Sequence, residues 1–177
     1  MNTIDCIRER RSVRSFKPEK LEHSIIESVI SAAAFAPSWK NTQITRYIVI
    51  EDQELKSRIG ALASDSNKLI IEHAPAIAAV TFIKNRSGFE RDGSFTTDRK
   101  GEWQMFDAGI ASQTFCLAAH ELGLGTVIMG IFDGPEITKL LELPEDRELA
   151  ALIAIGYPES IPAAPKRKTV EDLLTYK

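Results

Sequence analysis

The segment Arg10-Arg11-Ser12-Val13-Arg14 puts three guanidinium groups and a hydroxyl within five positions. A guanidinium is planar, permanently charged and forked, so it suits bidentate binding of phosphate oxygens. Ser12 adds a donor for the same oxygens. The chemistry on offer is a phosphate seat; the competing reading is a solvated charge run near a terminus. A second group is Ala36-Pro37-Ser38-Trp39-Lys40-Asn41-Thr42-Gln43. Ser38, Asn41 and Gln43 carry hydroxyl and amide groups that can read a heterocycle with both donors and acceptors. Pro and Asn are also ordinary turn residues. A third is Gly123-Leu-Gly-Thr-Val-Ile-Met-Gly130, where Gly130 at a strand end would let backbone approach a flat ligand. A fourth is Lys166-Arg167-Lys168, either a second basic group for the same seat or a solvated tail.

Several chemistries lack their residues. Gly123-x-Gly125 is followed by Gly130, so the dinucleotide fingerprint G-x-G-x-x-G fails. Gly125-x-x-x-x-Gly130 continues into Ile131-Phe132, so the P-loop fails as well. There is no G-x-S-x-G elbow, no H-E-x-x-H and no D-x-D cluster. Cys116 and His120 are four apart and could share a helix face, but two ligands do not make a metal site. A buried thiol beside a partly exposed imidazole is expected there. Cys6 and Cys116 form no C-x-x-C pair, and a disulfide is not expected.

These groups must be held by one domain, residues 1–177, long enough for a real core. The apolar fraction of 44% and the charged fraction of 27% are those of an ordinary globular chain. Net charge is −3, so the arginine cluster is local and the chain is not a nucleic-acid binder by composition. No apolar run is long enough to span a membrane. The charged N-terminal segment has no apolar h-region, so a cytoplasmic protein without a signal peptide is expected.

The spacing of apolar residues predicts the frame. Helices are expected at 3–9, 22–35, 53–62, 66–73, 102–122, 134–141 and 169–175. Strands are expected at 45–50, 76–83, 125–129 and 150–155. The run AIAAVTFI at 76–83 reads as a strand buried on both faces. Residues 84–101 are polar and contain three glycines, which reads as a long functional or disordered loop. Helix 102–122 is apolar almost all round, so it is buried or packs against a second subunit. The outcome is an α+β fold with a helix-covered sheet.

Taken in order, the groups resemble the nitroreductase family of FMN-dependent oxidoreductases, from Ile4 to Leu174. RRSVR is similar to the family's phosphate-binding motif and APSWKNTQ to its APSxxNxQPW loop. Residues 107–130 are similar to its central helix and following strand, and ALIAIGYP with a basic residue near 167 to its C-terminal signature. The resemblance implies a nitroreductase-like fold: a central, mostly antiparallel sheet surrounded by helices, in a homodimer with flavin at the interface. It implies FMN held at its phosphate and ribityl chain by Arg10, Arg11, Ser12 and Arg14, with Arg167 or Lys168 closing on the phosphate. Ser38, Asn41 and Gln43 would contact the flavin, and backbone at Met129, Gly130 and Ile131 would lie against its ring. The implied activity is ping-pong reduction of a nitroaromatic, quinone or similar acceptor by NAD(P)H, with hydride passing through flavin N5 and no acid–base residue required. Arg14 and Lys40 are the candidate cations beside flavin N1. An FMN-binding or sensing module without turnover is the alternative, as is a relative that fragments flavin with oxygen or dehalogenates. The family's QPW stands here as Gln43-Ile44-Thr45, so an aromatic wall is missing, and Trp39 is the candidate replacement.

Overall fold

The computed structural model describes residues 2–177. Its frame is a sheet of four strands: β1 (Thr45–Ile50), β2 (Ala76–Ile83), β3 (Gly125–Met129) and β4 (Arg147–Gly156). Their order is β1-β2-β4-β3, with every neighbouring pair antiparallel. The central strands are buried on both faces, as the apolar run 76–83 predicts. Side chains alternate along a strand, so each face feeds a separate core. Ile77, Ala79, Leu152 and Ala154 pack with Ile59, Ile71 and Ile137 on one side. Ala78, Val80, Ile153 and Ile155 pack with Val29, Phe115 and Ala119 on the other.

The helices that supply those layers are α2 (His23–Ala33) and α5 (Glu102–Glu121) on one face and α3 (Gln53–Gly60), α4 (Asp65–His73) and α6 (Gly134–Leu140) on the other. Local chemistry sets several starts. Asp52 accepts from the Leu55 amide at 2.8 Å to open α3. Asp133 accepts from the Glu136 amide at 3.1 Å to open α6, with Pro135 in the first turn. Asn2 does the same for α1 (Thr3–Glu9), accepting from the Asp5 amide at 3.0 Å.

Three differences from the expected elements have physical reasons. β4 begins at Arg147 rather than 150, because Arg147 and Glu148 pair through backbone with Ile83 and Phe82 whatever their side chains. The last helix, α7 (Val170–Leu173), is four residues long and exposed, with a capping box at Thr169 and no packed face to extend it. α5 is not buried all round: Asp107, Ala108, Ala111 and Phe115 face inward, while Met105 and Phe106 are 50% and 58% exposed.

The chain after α1 adds to the sheet at its β3 edge. Ser12 bridges Thr126 in parallel, and the Val13 amide donates to the Thr126 carbonyl at 2.9 Å. This approach requires glycine opposite: a Cβ on Gly125 would stand 2.8 Å from Cβ of Val13.

Candidate functional site

The phosphate-type cluster lies on that segment, an arginine strand only in the sense that one isolated parallel bridge at Ser12 joins it to β3. Arg14 is exposed, and its Nη1 donates to the Ser12 carbonyl at 3.2 Å. Nε of Arg10 is buried and has no hydrogen-bond partner. Arg11 has another task as well: its Nη1 donates to the carbonyls of Arg8 at 2.6 Å and Arg10 at 3.0 Å, closing the end of α1. Arg11 and Val13 line a cavity of about 210 Å³ with His120 and Leu124.

Residues 129–131 continue from the far end of β3. Met129 is buried, Gly130 is exposed, and Ile131 is 71% exposed. A Cβ added to Gly130 would meet nothing within 4 Å, so the space above this backbone is open. The Ile131 carbonyl is fixed by the Ser64 amide and by Nδ2 of Asn67, each at 3.2 Å. Gly130 stands four residues beyond Thr126, about 13 Å along the strand. One sheet edge thus carries the arginine strand at one end and open backbone at the other.

The second predicted loop is not on this edge. Thr45 pairs with Phe82 and Phe82 with Glu148, whereas Gly125 pairs with Gly156 at the opposite end of β4. β1 and β3 are also the two outer strands. The two corners are therefore about 30 Å apart on the diagonal, at ~3.3 Å per residue and ~4.8 Å per strand spacing. Within one copy Ser12 and Arg14 do not meet Ser38, Asn41 and Gln43. Arg167 and Lys168 do not join either group. The C-terminal arm leaves the sheet beside the arginine strand, with the Glu159 amide donating to the Ser15 carbonyl at 3.0 Å, but both basic residues are exposed beyond that contact.

The loop at the β1 corner is held in a strained form. Lys40, Asn41 and Gln43 have φ of 43°, 55° and 49°. The left-handed region costs a non-glycine residue about 1–2 kcal/mol, least for Asn. Such conformations persist only where surroundings over-determine them. Here Ser38 Oγ accepts from the Gln43 amide at 2.9 Å, and Gln43 Nε2 donates to Asn41 Oδ1 at 3.2 Å. The three polar residues singled out in the sequence are thus bonded to one another. The carboxylate of Asp107 takes the Trp39 amide, at 3.1 and 3.0 Å to its two oxygens. Trp39 packs on Trp103 with ring centroids 4.7 Å apart, so it joins this loop to α5. Lys40 is committed to Glu90 at 2.8 Å, and this hydrogen bond, with another from Thr96, holds the Glu90 carboxyl below its usual range.

Beside the loop is a cavity of about 320 Å³ bounded by Ile30, Ser38, Gln43, Arg46, Tyr47 and Asp107. Burial pushes the Tyr47 phenol up to about 12, so it stays neutral and donates to the Ala111 carbonyl at 3.4 Å. Segment 84–101 is ordered against the same corner: Ser87 is fully buried and donates to Asp107 Oδ2 at 2.6 Å. Neither Asp107 nor Ser87 belongs to a motif that marks it for this role in the sequence. The readable signal was Asp107 as an acid in register with Ala108, Ala111 and Phe115 on the inner face of an apolar helix. No group of three or more metal-ligating side chains occurs among the described residues, and none of their helices is long and apolar enough to cross a membrane.

Known proteins carry related sequences. Residues 7–157 match the model of the nitroreductase family. The chain is 31% identical over 164 residues to an FMN reductase (NAD(P)H) of Bacillus subtilis, covering 88% of this chain and 65% of that protein. It is 25% identical over 175 residues to an iodotyrosine deiodinase of Thermotoga neapolitana, covering 94% of each. A structure from Exiguobacterium sibiricum solved in complex with FMN superposes with a TM-score of 0.86 at 20% identity, covering 100% of this chain and 98% of that one. That likeness shows the fold.

Proposed function

The chain belongs to the nitroreductase family, and on that premise we propose that it is an FMN-dependent oxidoreductase that takes electrons from NAD(P)H and delivers them to a small aromatic or quinone acceptor. The observation that carries the reading is the layout of the sheet corners. The arginine strand and the open Gly130 backbone share one edge of a copy. The polar loop 38–43 sits on the opposite corner. A second copy, related by a two-fold axis, would bring its loop to the first copy's edge and complete the pocket.

The residues fit an FMN. A phosphate needs convergent cationic donors, and Arg10 offers a buried Nε without a partner while Arg14 is exposed beside Ser12. A flat ring needs backbone that can be approached closely, and Gly130 provides open space at a strand end. When bound, FMN supplies hydride and electron transfer that no side chain here can perform. Arg10, Ser12 and Arg14 would bind the phosphate end, with Arg11 adding charge from the end of α1. Arg167 or Lys168, on an arm that starts beside Ser15, would close over it. Met129, Gly130 and Ile131 would orient the ring by backbone contact. Ser38, Asn41 and Gln43 of the second copy would read its polar edge. The exposed Phe106, Met105 and Ile131 would exclude water once covered.

The test is an anaerobic titration of the FMN-loaded protein with NADH and with NADPH. Bleaching of the flavin absorbance, and its return on adding a quinone or nitroarene, is expected. Flavin that stays bound and oxidised would overturn the reading in favour of a binding module. The similarity to iodotyrosine deiodinase supports a second reading, reductive dehalogenation of an aromatic ring. Halide release from an iodinated phenol, measured alongside nitroarene reduction, separates the two.

A further inference from the structure

Asp107 is 3% exposed, and among the described residues it forms no ion pair. Burying a carboxylate is costly unless hydrogen bonds satisfy it. Its donors come from two separate segments: the Trp39 amide, which reaches both oxygens, and Ser87 Oγ at 2.6 Å. Ser87 then meets Thr42 Oγ1 at 2.6 Å, closing a ring of contacts between loop 38–43, segment 84–101 and α5. Two further ties run the same way. Lys40 bonds Glu90 at 2.8 Å, and Trp39 lies on Trp103. Gly88 next to Ser87 has a φ of 87°, and a Cβ there would stand 2.0 Å from the Lys100 carbonyl oxygen, so the neck of segment 84–101 is also closed on itself.

We propose that Asp107 is a positioning residue that locks loop 38–43 and segment 84–101 into one body. The loop that reads the flavin, and segment 84–101, which packs against that loop and so would border an acceptor lying on the flavin, then keep a single relative placement. The assignment of those two tasks rests on the function proposed above; the mechanical coupling does not. A carboxylate suits the role because both oxygens accept. Asparagine has one accepting oxygen, and its NH2 would confront either the Trp39 N–H or the Ser87 O–H. The strained backbone at Lys40, Asn41 and Gln43 is what such a lock has to hold.

The test compares FMN-loaded wild type, Asp107→Asn, Ser87→Ala and the double variant. Amide hydrogen exchange is read at residues 38–43, at 86–90 and in β2 and β4. In Asp107→Asn, exchange in both segments is expected to rise together by about 10-fold while the central strands are unchanged. FMN Kd is expected to rise about 10-fold. Acceptor KM is expected to rise with little change in kcat. The double variant is expected to match Asp107→Asn alone, because the residues act in one network. Unchanged protection, loosening of only one segment, or additive effects in the double variant would overturn the proposal. If Asp107→Asn does not fold, Ser87→Ala decides by the same exchange readout. A wild type that binds no FMN would remove the functional reading, while the exchange result would still judge the coupling.

Discussion

At the scale of residues, the arginine cluster separates into distinct tasks. Arg11 closes α1, Arg10 carries a buried Nε without a partner, and Arg14 stands in solvent beside Ser12. Arg14→Ala is expected to cost one charge-assisted contact, about 1.5–3 kcal/mol, and so to raise FMN Kd about 10- to 150-fold. Equilibrium flavin titration checks this, and unchanged affinity would remove Arg14 from the seat. Lys40 was a candidate cation for the flavin, but its bond to Glu90 gives it a structural partner that the sequence could not reveal, since the two are fifty positions apart. His23 offers a pH-dependent marker of folding. Its ring bonds Glu51 at 2.9 Å, which raises its pKa above the ordinary 6.5. The stabilisation is complete below the ordinary value and is lost as pH rises through the folded-state value. The Tm difference between wild type and His23→Gln should therefore be largest in mild acid and shrink in mild alkali.

At the scale of elements, the apolar spacing exposes most of the frame in the sequence alone. The run 76–83 and the helix 102–122 are long and strongly patterned, and both are found within a residue of their expected bounds. Ends set by backbone pairing were not legible. Arg147 and Glu148 join β4 because Ile83 and Phe82 lie opposite, which no local pattern records. The order in loop 84–101 was equally hidden, because it depends on Ser87 reaching Asp107 twenty residues away. The contact between the arginine strand and β3 gives a sharp prediction. Gly125→Ala would drive a Cβ into Val13, so overpacking should cost about 1–3 kcal/mol in urea unfolding. Val13→Gly, which removes the facing Cβ as well as both γ-methyls, should cost less in the Gly125→Ala chain than it does alone. Full additivity of the two would mean that this contact does not govern the strand.

At the scale of the whole molecule, four motifs were legible but their separation was not. Sequence order places Ser12, Asn41 and Gly130 in one chain; the strand order β1-β2-β4-β3 puts Asn41 on the far corner. Exposed Ile4, Ile7, Met105, Phe106 and Leu173 leave much apolar surface for a second copy to cover. In the function proposed here, two copies build each flavin pocket, one giving Arg14 and the other Asn41. The direct measurement mixes Arg14→Ala protein with Asn41→Ala protein under subunit exchange and counts tight FMN sites. Each mixed dimer should contain one intact pocket and one doubly defective pocket, so about a quarter of all sites should regain wild-type affinity. No recovery in a mixture proven to have exchanged subunits would contradict a shared pocket.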